Sequence, residues 1–548
     1  MSRTPLFNEV ARALRIARFC NDNRLSTAEG LERLRETEIR KVSSRQSRRE
    51  WLNTVARAGA AGVAASVLSP HQRLFAGRQR NPSIDVGIVG AGIAGLACAD
   101  TLADSGVRAT VYEAATRVGG RCFSLRNFFP GQVAERGGEF IDTPHKTMLG
   151  YARRFNLALE DVSKEPGEVF YHLGGELIPE AAVVEEFREF VQVMRLDVRK
   201  LSNETTALDH TAADRVLDLT SLEAYLEGAN GAGRAAGPIA KAAITAAYIA
   251  EFGLETDQQS CLNFLHFIHA DRRSKFTPFG VFSDERYHVL DGNDRITSGL
   301  AQALPCPVQL GMMLGAVRET PAGRVELIFE TPGGVVSRTH DTVVLAIPFT
   351  TLQAVDLDID LDRVPGKRAA IDLLGYGTNA KMMVGFERRP WIEQGSNGTA
   401  YANLRKLICT WETNPASATP TRGVLTDYTG GVLGETMNAG NVQLEASQYL
   451  ADLNFIFSGA HAAARRVKRS IVAHLEHWPS NPLALGSYTC YKPGQFTTIA
   501  GLEGLPVGNV FFAGEHANSF YVSQGFMEGA ALSGVDAAAA ILKGALAR

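Results

Sequence analysis

The sequence predicts an α/β fold: a Rossmann-like dinucleotide-binding domain with an α+β domain interleaved between its segments. Three observations carry this prediction. A short apolar strand, Ile84 to Val89, runs straight into Gly90-Ala91-Gly92-Ile93-Ala94-Gly95. A helix-like segment, Ala97 to Ser105, and a second strand, Thr110 to Tyr112, follow and end on the acid Glu113. The chain has 548 residues, too many for one core, and strand and helix textures alternate from residue 84 onward.

Ahead of this body, Val10, Leu14 and Ala17 continue from Phe7 at helical spacing, flanked by Arg12, Arg15 and Arg18. The stripe predicts a helix packed on its own protein, the alternative being a basic helix lying on a membrane surface. Ser26 and Glu29 have capping-box spacing and open a second helix. Ser47-Arg48-Arg49-Glu50-Trp51-Leu52, with the weakly apolar Ala58 to Leu68, resembles a bacterial twin-arginine export signal. It predicts a periplasmic or exported protein. The long stretch ahead of the arginines and the lack of an A-x-A cleavage site leave a cytoplasmic location as the alternative.

Bulk properties narrow the function. A net charge of -3 presents no basic face for nucleic acid. Seven dispersed cysteines without a CxxC pair form neither a disulfide framework nor a zinc site, and His474 and His477 read as two surface histidines. The chain has no apolar run long enough to cross a membrane as a helix. Further on, 185–202, 236–252 and Met527 to Leu542 read as helices. Val325 to Phe329, Thr342 to Ile347, Lys381 to Phe386 and Asn509 to Phe512 read as strands.

The glycine loop has a chemical rationale. Gly90 permits a tight turn, Gly92 lets backbone meet a pyrophosphate, and Gly95 lets the helix opened by Ile93 and Ala94 sit on the sheet. That helix start offers unpaired N–H groups to phosphate. Glu113, followed by Ala114, is placed to accept from the ribose hydroxyls, and its charge disfavours a 2′-phosphate.

Arg117-Val118-Gly119-Gly120-Arg121 and Gly137-Gly138-Glu139-Phe140 follow. Phe512-Ala513-Gly514-Glu515 and Gln524-Gly525-Phe526-Met527-Glu528-Gly529-Ala530 stand near the C terminus. With these motifs the sequence resembles the flavin-containing amine oxidase family, which includes monoamine, polyamine and L-amino acid oxidases, over roughly 83–545. The resemblance implies FAD as cofactor and an FAD domain of the amine oxidase (GR2) type. It places Arg121 near the pyrophosphate, Glu515 on the ribityl chain and the Met527 backbone at the flavin N1/O2 edge. A helix start there stabilises the charge of reduced flavin. Val308 to Leu314 is similar to the family strand whose backbone meets adenine, with Leu314 at the contact. The implied segments of the FAD domain are 81–147, 285–347 and 484–548. The substrate domain is 148–284 and 348–483, and 1–80 is an extension.

The resemblance also assigns a catalytic end. Tyr488 and Phe526, the latter where a tyrosine is usual, form the two walls of an aromatic cage. Lys381 is the family lysine linked through water to flavin N5 and to oxygen reactivity. Ser487 stands where monoamine oxidases carry a flavin-linked cysteine, which implies non-covalent FAD. L-amino acid oxidases often carry an arginine just after the glycine pair to hold the carboxylate; this chain has Glu139-Phe140 there. The expected activity is oxidative deamination of a primary amine or L-amino acid, with dioxygen reduced to hydrogen peroxide and ammonia released. The alternatives are a protoporphyrinogen- or carotenoid-type oxidase and a flavin-binding protein without turnover. A homo-oligomer is compatible with all of them.

Overall fold

The computed structural model describes residues 5–34, 84–162, 166–229, 235–268, 285–419, 421–518 and 524–547. The Arg48-Arg49 motif and Ala58 to Leu68 lie outside the described residues.

The glycine loop sits on a five-stranded sheet ordered Val510–Phe512, Thr342–Leu345, Val86–Val89, Ala109–Glu113, Gln309–Leu310. All neighbours run parallel, and such sheets are stable only when both faces are covered. Val86, Ile88 and Val344 pack under the helices Ile93–Asp104 and Met527–Ala547. Val89, Val343 and Leu345 face the opposite way, onto Val317, Leu327 and Phe329 of a four-stranded sheet. The two helices cross tightly: a Cβ on Gly534 would lie 2.1 Å from the Ala94 carbonyl oxygen. Their N termini come together at the carboxyl ends of the parallel strands.

Val308 to Leu314 is not one strand. Gln309–Leu310 closes the parallel sheet, whereas Met313–Glu319 belongs to the four-stranded one. Gly311, at φ 72, redirects the chain between them through a left-handed turn. The first interior helix also differs from expectation, running Glu180–Val198 because Pro179, extended at φ -64 and ψ 142, sets its start.

A seven-stranded sheet forms the other lobe, ordered Ala473–His477, Ala380–Phe386, Gly423–Thr429, Cys409–Glu412, Ser396–Ala402, Glu168–Leu173, Glu176–Leu177. Strand alternation divides its side chains. Met382, Val384 and Leu425 pack on the helix Val442–Ile456 through Tyr449, Leu450 and Leu453. Lys381 pairs in register with Tyr428, and both point to the other face.

The N-terminal helix Pro5–Asn23 packs on the protein itself, with Val10, Leu14, Ala17 and Cys20 buried in the same core as the helices Glu180–Val198 and Pro238–Phe252. Polar contacts tie this segment in as well. Arg12 pairs with Glu180 at 2.8 Å, and Arg188 donates to Leu25 carbonyl at 2.9 Å. The capping box is reciprocal: Ser26 N–H donates to Glu29 at 2.9 Å and Glu29 N–H to the Ser26 hydroxyl at 3.2 Å. Among the described residues no helix is long and apolar enough to cross a membrane.

Lys367 gives a pH-dependent expectation. It is fully buried, donates to the Leu502 carbonyl at 3.0 Å and lies 3.6 Å from the centroid of the Phe512 ring. Burial pulls its amine down to about 7 from 10.5. Below pH 7 the fold carries a cation it disfavours; as pH rises from 7 toward 10.5 that penalty is lost, so this group makes stability rise with pH. Lys367→Met should flatten the slope of unfolding free energy over that window by roughly 1.4 kcal/mol per pH unit. Denaturant titrations at several pH values check it, and an unchanged slope would contradict it.

Candidate functional site

The two helix N termini, the parallel sheet and the Lys381 face of the large sheet enclose a cavity of about 520 Å³, within the range of cofactor and ligand sites.

At one end lies the glycine loop. Gly90 takes φ 102, and a Cβ there would lie 2.4 Å from the Ala346 carbonyl oxygen. Gly92 differs: its Cβ position has no atom within 4 Å. The space beside it is an open cradle facing a helix N terminus, the geometry a pyrophosphate takes. The Glu113 carboxylate accepts from Ala91 N–H and Ala115 N–H, each at 2.8 Å. It lines the cavity, and a carboxylate has about four acceptor sites, so capacity for hydroxyls remains. Arg117 donates to Gly120 carbonyl at 2.8 Å and lies 3.6 Å over Phe123, which stiffens the second glycine turn. Arg121 ties that turn to the C-terminal motifs, donating to Ser487 carbonyl at 2.7 Å and to Glu515 at 3.1 Å. Gly138 packs on Met527, where a Cβ would come 2.9 Å from Cγ.

The cavity wall brings together Gly90, Gly92, Ile93, Ala94, Glu113, Ala114, Arg117, Gly119, Gly120, Arg121, Gly137, Gly138, Glu139, Phe140, Leu314, Lys381, Tyr488, Gly514, Glu515, Gly525, Phe526, Met527 and Ala530. Two expected site residues are not on it. Gly95 packs beneath the loop, where a Cβ would meet the Gly90 carbonyl oxygen at 1.9 Å. Gln524 turns away to donate to the Tyr491 hydroxyl at 2.9 Å, because Tyr491 and Glu503 form a buried polar pair behind it. An elongated dinucleotide such as FAD suits this wall: an open cradle at a helix start, an acid behind it, and a second helix start at Met527. Ser487 donates to Asn379 at 2.6 Å, and burial holds the thiol of the cavity-lining Cys122 well above its usual range.

The other end is aromatic. Tyr488 donates to Glu251 carbonyl at 2.8 Å, so its oxygen accepts from Tyr428, 2.7 Å away. Tyr428 lines the cavity, and Trp411 lies behind it at a ring separation of 5.8 Å. Phe526 lines the cavity too, its ring edge-on to His145 at 5.2 Å. Tyr428 and Trp411 were missed in the sequence; the alternation of Gly423 to Thr429 around Tyr428 was the available signal. Lys381 Nζ donates to Glu139 at 2.7 Å, Gly137 carbonyl at 2.8 Å and Glu135 carbonyl at 3.2 Å. All three ammonium protons thus have protein acceptors, and Glu139 directs its carboxylate to Lys381 and Trp411. Burial pushes the Glu135 carboxyl up to about 7, against bonds from Asn293 N–H and the Ser124 hydroxyl.

Comparison with known proteins matches this geometry. The profile of the flavin containing amine oxidoreductases matches residues 93–542. An L-amino-acid oxidase of Pseudechis australis is 23% identical over 481 residues, 84% of this chain and 87% of its own. One of Siganus canaliculatus is 24% identical over 483 residues, 84% of this chain and 86% of its own. The cyclohexylamine oxidase of Brevibacterium oxydans IH-35A superposes with a TM-score of 0.70 at 20% identity, over 85% of this chain and 100% of its own. A putrescine oxidase bound to putrescine gives 0.69 at 20% identity, over 84% and 99%.

Proposed function

The chain belongs to the flavin-containing amine oxidoreductase family, with FAD as cofactor, and from that premise we propose that it oxidatively deaminates a small primary amine with an apolar skeleton. The overall reaction is R–CH2–NH2 + O2 + H2O → R–CHO + NH3 + H2O2. FAD would be held without a covalent bond by the cradle at Gly92, by Glu113, by Arg121 and by Glu515, and would supply a two-electron acceptor for which dioxygen is the oxidant.

The chain's own residues do the rest. Tyr488, Tyr428, Phe140 and Phe526 present aromatic surface to the amine and keep water from it. The Tyr428–Tyr488–Glu251 hydrogen-bond chain fixes one wall. Lys381 acts by its charge, since a paired ammonium has no lone pair with which to take a proton.

One observation supports amine over amino acid. The cationic side chains lining the cavity among the described residues are Arg117, Arg121 and Lys381. The two arginines are engaged at the dinucleotide end, and the three ammonium protons of Lys381 are taken by Glu139 and the carbonyls of Gly137 and Glu135. Among the described residues no cation is left to pair with a substrate carboxylate buried here beside Phe140, which makes its burial costly. The second reading, an L-amino acid, is favoured by the curated relatives.

Peroxide release separates the two with matched pairs: phenylethylamine against L-phenylalanine, tryptamine against L-tryptophan, with cyclohexylamine and putrescine beside them. kcat/KM should favour the amine of each pair by about 100-fold or more, the scale of one unmatched charge in a closed site. A preference for the amino acids would establish the second reading.

A further inference from the structure

We propose that Glu139 is the positioning residue of the catalytic end: its carboxylate fixes the Lys381 ammonium against the cavity wall, and Trp411 fixes the carboxylate. The inference rests on the amine-oxidation reading for what Lys381 does; the arrangement itself is geometry. Glu139 and Lys381 side chains are 3% and 6% exposed. Glu139 Oε2 takes the ammonium at 2.7 Å while Oε1 accepts from Trp411 Nε1 at 2.9 Å. An indole N–H is only a donor, so it orients the carboxylate without competing for its negative charge. The Trp411 ring is held in turn between Phe140 at 5.7 Å and Tyr428 at 5.8 Å.

The pair also joins two parts of the fold. Glu139 follows the Gly137-Gly138 turn, which packs on Met527 at the cofactor end, whereas Lys381 and Trp411 belong to the large sheet. Lysine is a point charge on a flexible stem and takes its direction from its partners. Here Glu139 and the carbonyls of Gly137 and Glu135 set that direction. What Lys381 then offers is a fixed positive charge at the cavity, which favours the negative charge that develops on dioxygen as it is reduced. Both oxygens of Glu139 are engaged, one by Lys381 and one by Trp411.

The test uses FAD-loaded protein with Glu139→Gln, Glu139→Asp, Lys381→Met and the Glu139→Gln/Lys381→Met double variant. Flavin reduction by amine without oxygen and reoxidation by dioxygen are timed separately across pH. FAD content and the visible flavin spectrum are recorded for each variant. Lys381→Met should slow reoxidation by roughly 100-fold, more than it slows reduction. Glu139→Gln should slow it by about 10-fold or more. Glu139→Asp should recover part of the rate, and the double variant should be no slower than Lys381→Met alone. In flavin-free protein, Glu139→Gln should also shift the indole N–H resonance of Trp411, a readout independent of turnover.

Wild-type reoxidation in Glu139→Gln at every pH, beside a slow Lys381→Met, would overturn the positioning role and leave the reading of Lys381 standing. A double variant much slower than Lys381→Met would overturn it too, since Glu139 would then act on its own. Wild-type reoxidation in Lys381→Met would remove the role of Lys381 and with it that of Glu139.

Discussion

Gly92→Val should fold as the wild type does and be purified without FAD. Gly92 has φ -73 and ψ -179, extended backbone that valine adopts without strain. Its Cβ position meets no protein atom within 4 Å, so the branched side chain enters only the cradle. A pyrophosphate needs that space and the N–H groups around it. Affinity should fall at least about 100-fold, close to 3 kcal/mol. Gly95→Ala is the opposite case, because its Cβ would meet the Gly90 carbonyl oxygen at 1.9 Å and the helix would have to leave the sheet. Far-ultraviolet circular dichroism and flavin absorbance per polypeptide distinguish the two. A Gly92→Val protein with full flavin would contradict the assignment of the cradle.

The second large effect lies far from the cofactor. Removal of residues 1–34 should leave the protein insoluble. Val10, Leu14, Ile16, Ala17 and Cys20 are buried in one core with helices Glu180–Val198 and Pro238–Phe252. Burying each large side chain contributes about 1.5–3 kcal/mol, so the sum rivals the net stability of a domain, about 5–15 kcal/mol. Leu14→Ala alone should cost about 2–5 kcal/mol in denaturant titration. Glu251, whose carbonyl anchors Tyr488, lies near the end of one of these helices, so a loosened N terminus should also disturb the aromatic wall. Export through the twin-arginine pathway remains a proposal. Whatever happens to the chain between 35 and 83, the purified protein should retain residues 5–34, which intact mass measures. A soluble, flavin-loaded protein lacking them would contradict this.

The cofactor end was legible in the sequence because its signals are local. Glycine spacing, the acid after the second strand and the helix starts at Ile93 and Met527 all lie within short windows. The N-terminal helix was legible for the same reason, through a 3.6-residue period. The catalytic end was legible only in part. Tyr428 and Trp411 reach the site through strand register, Lys381 opposite Tyr428 and Tyr428 opposite Cys409, two residues from Trp411. No short window shows that pairing. Glu139 stands in a glycine motif in the sequence, and its partners Lys381 and Trp411 reach it only through the sheet. The strand through Gly311 was misjudged because its apolar pattern continues across a glycine whose positive φ separates two sheets.

The central claim, that this cavity oxidises amines, is tested most directly without oxygen. Phenylethylamine mixed anaerobically with the FAD-loaded protein should bleach the visible flavin absorbance completely, and admitted air should restore it with one hydrogen peroxide per flavin. A flavin that stays oxidised with every amine and L-amino acid tried would contradict the claim.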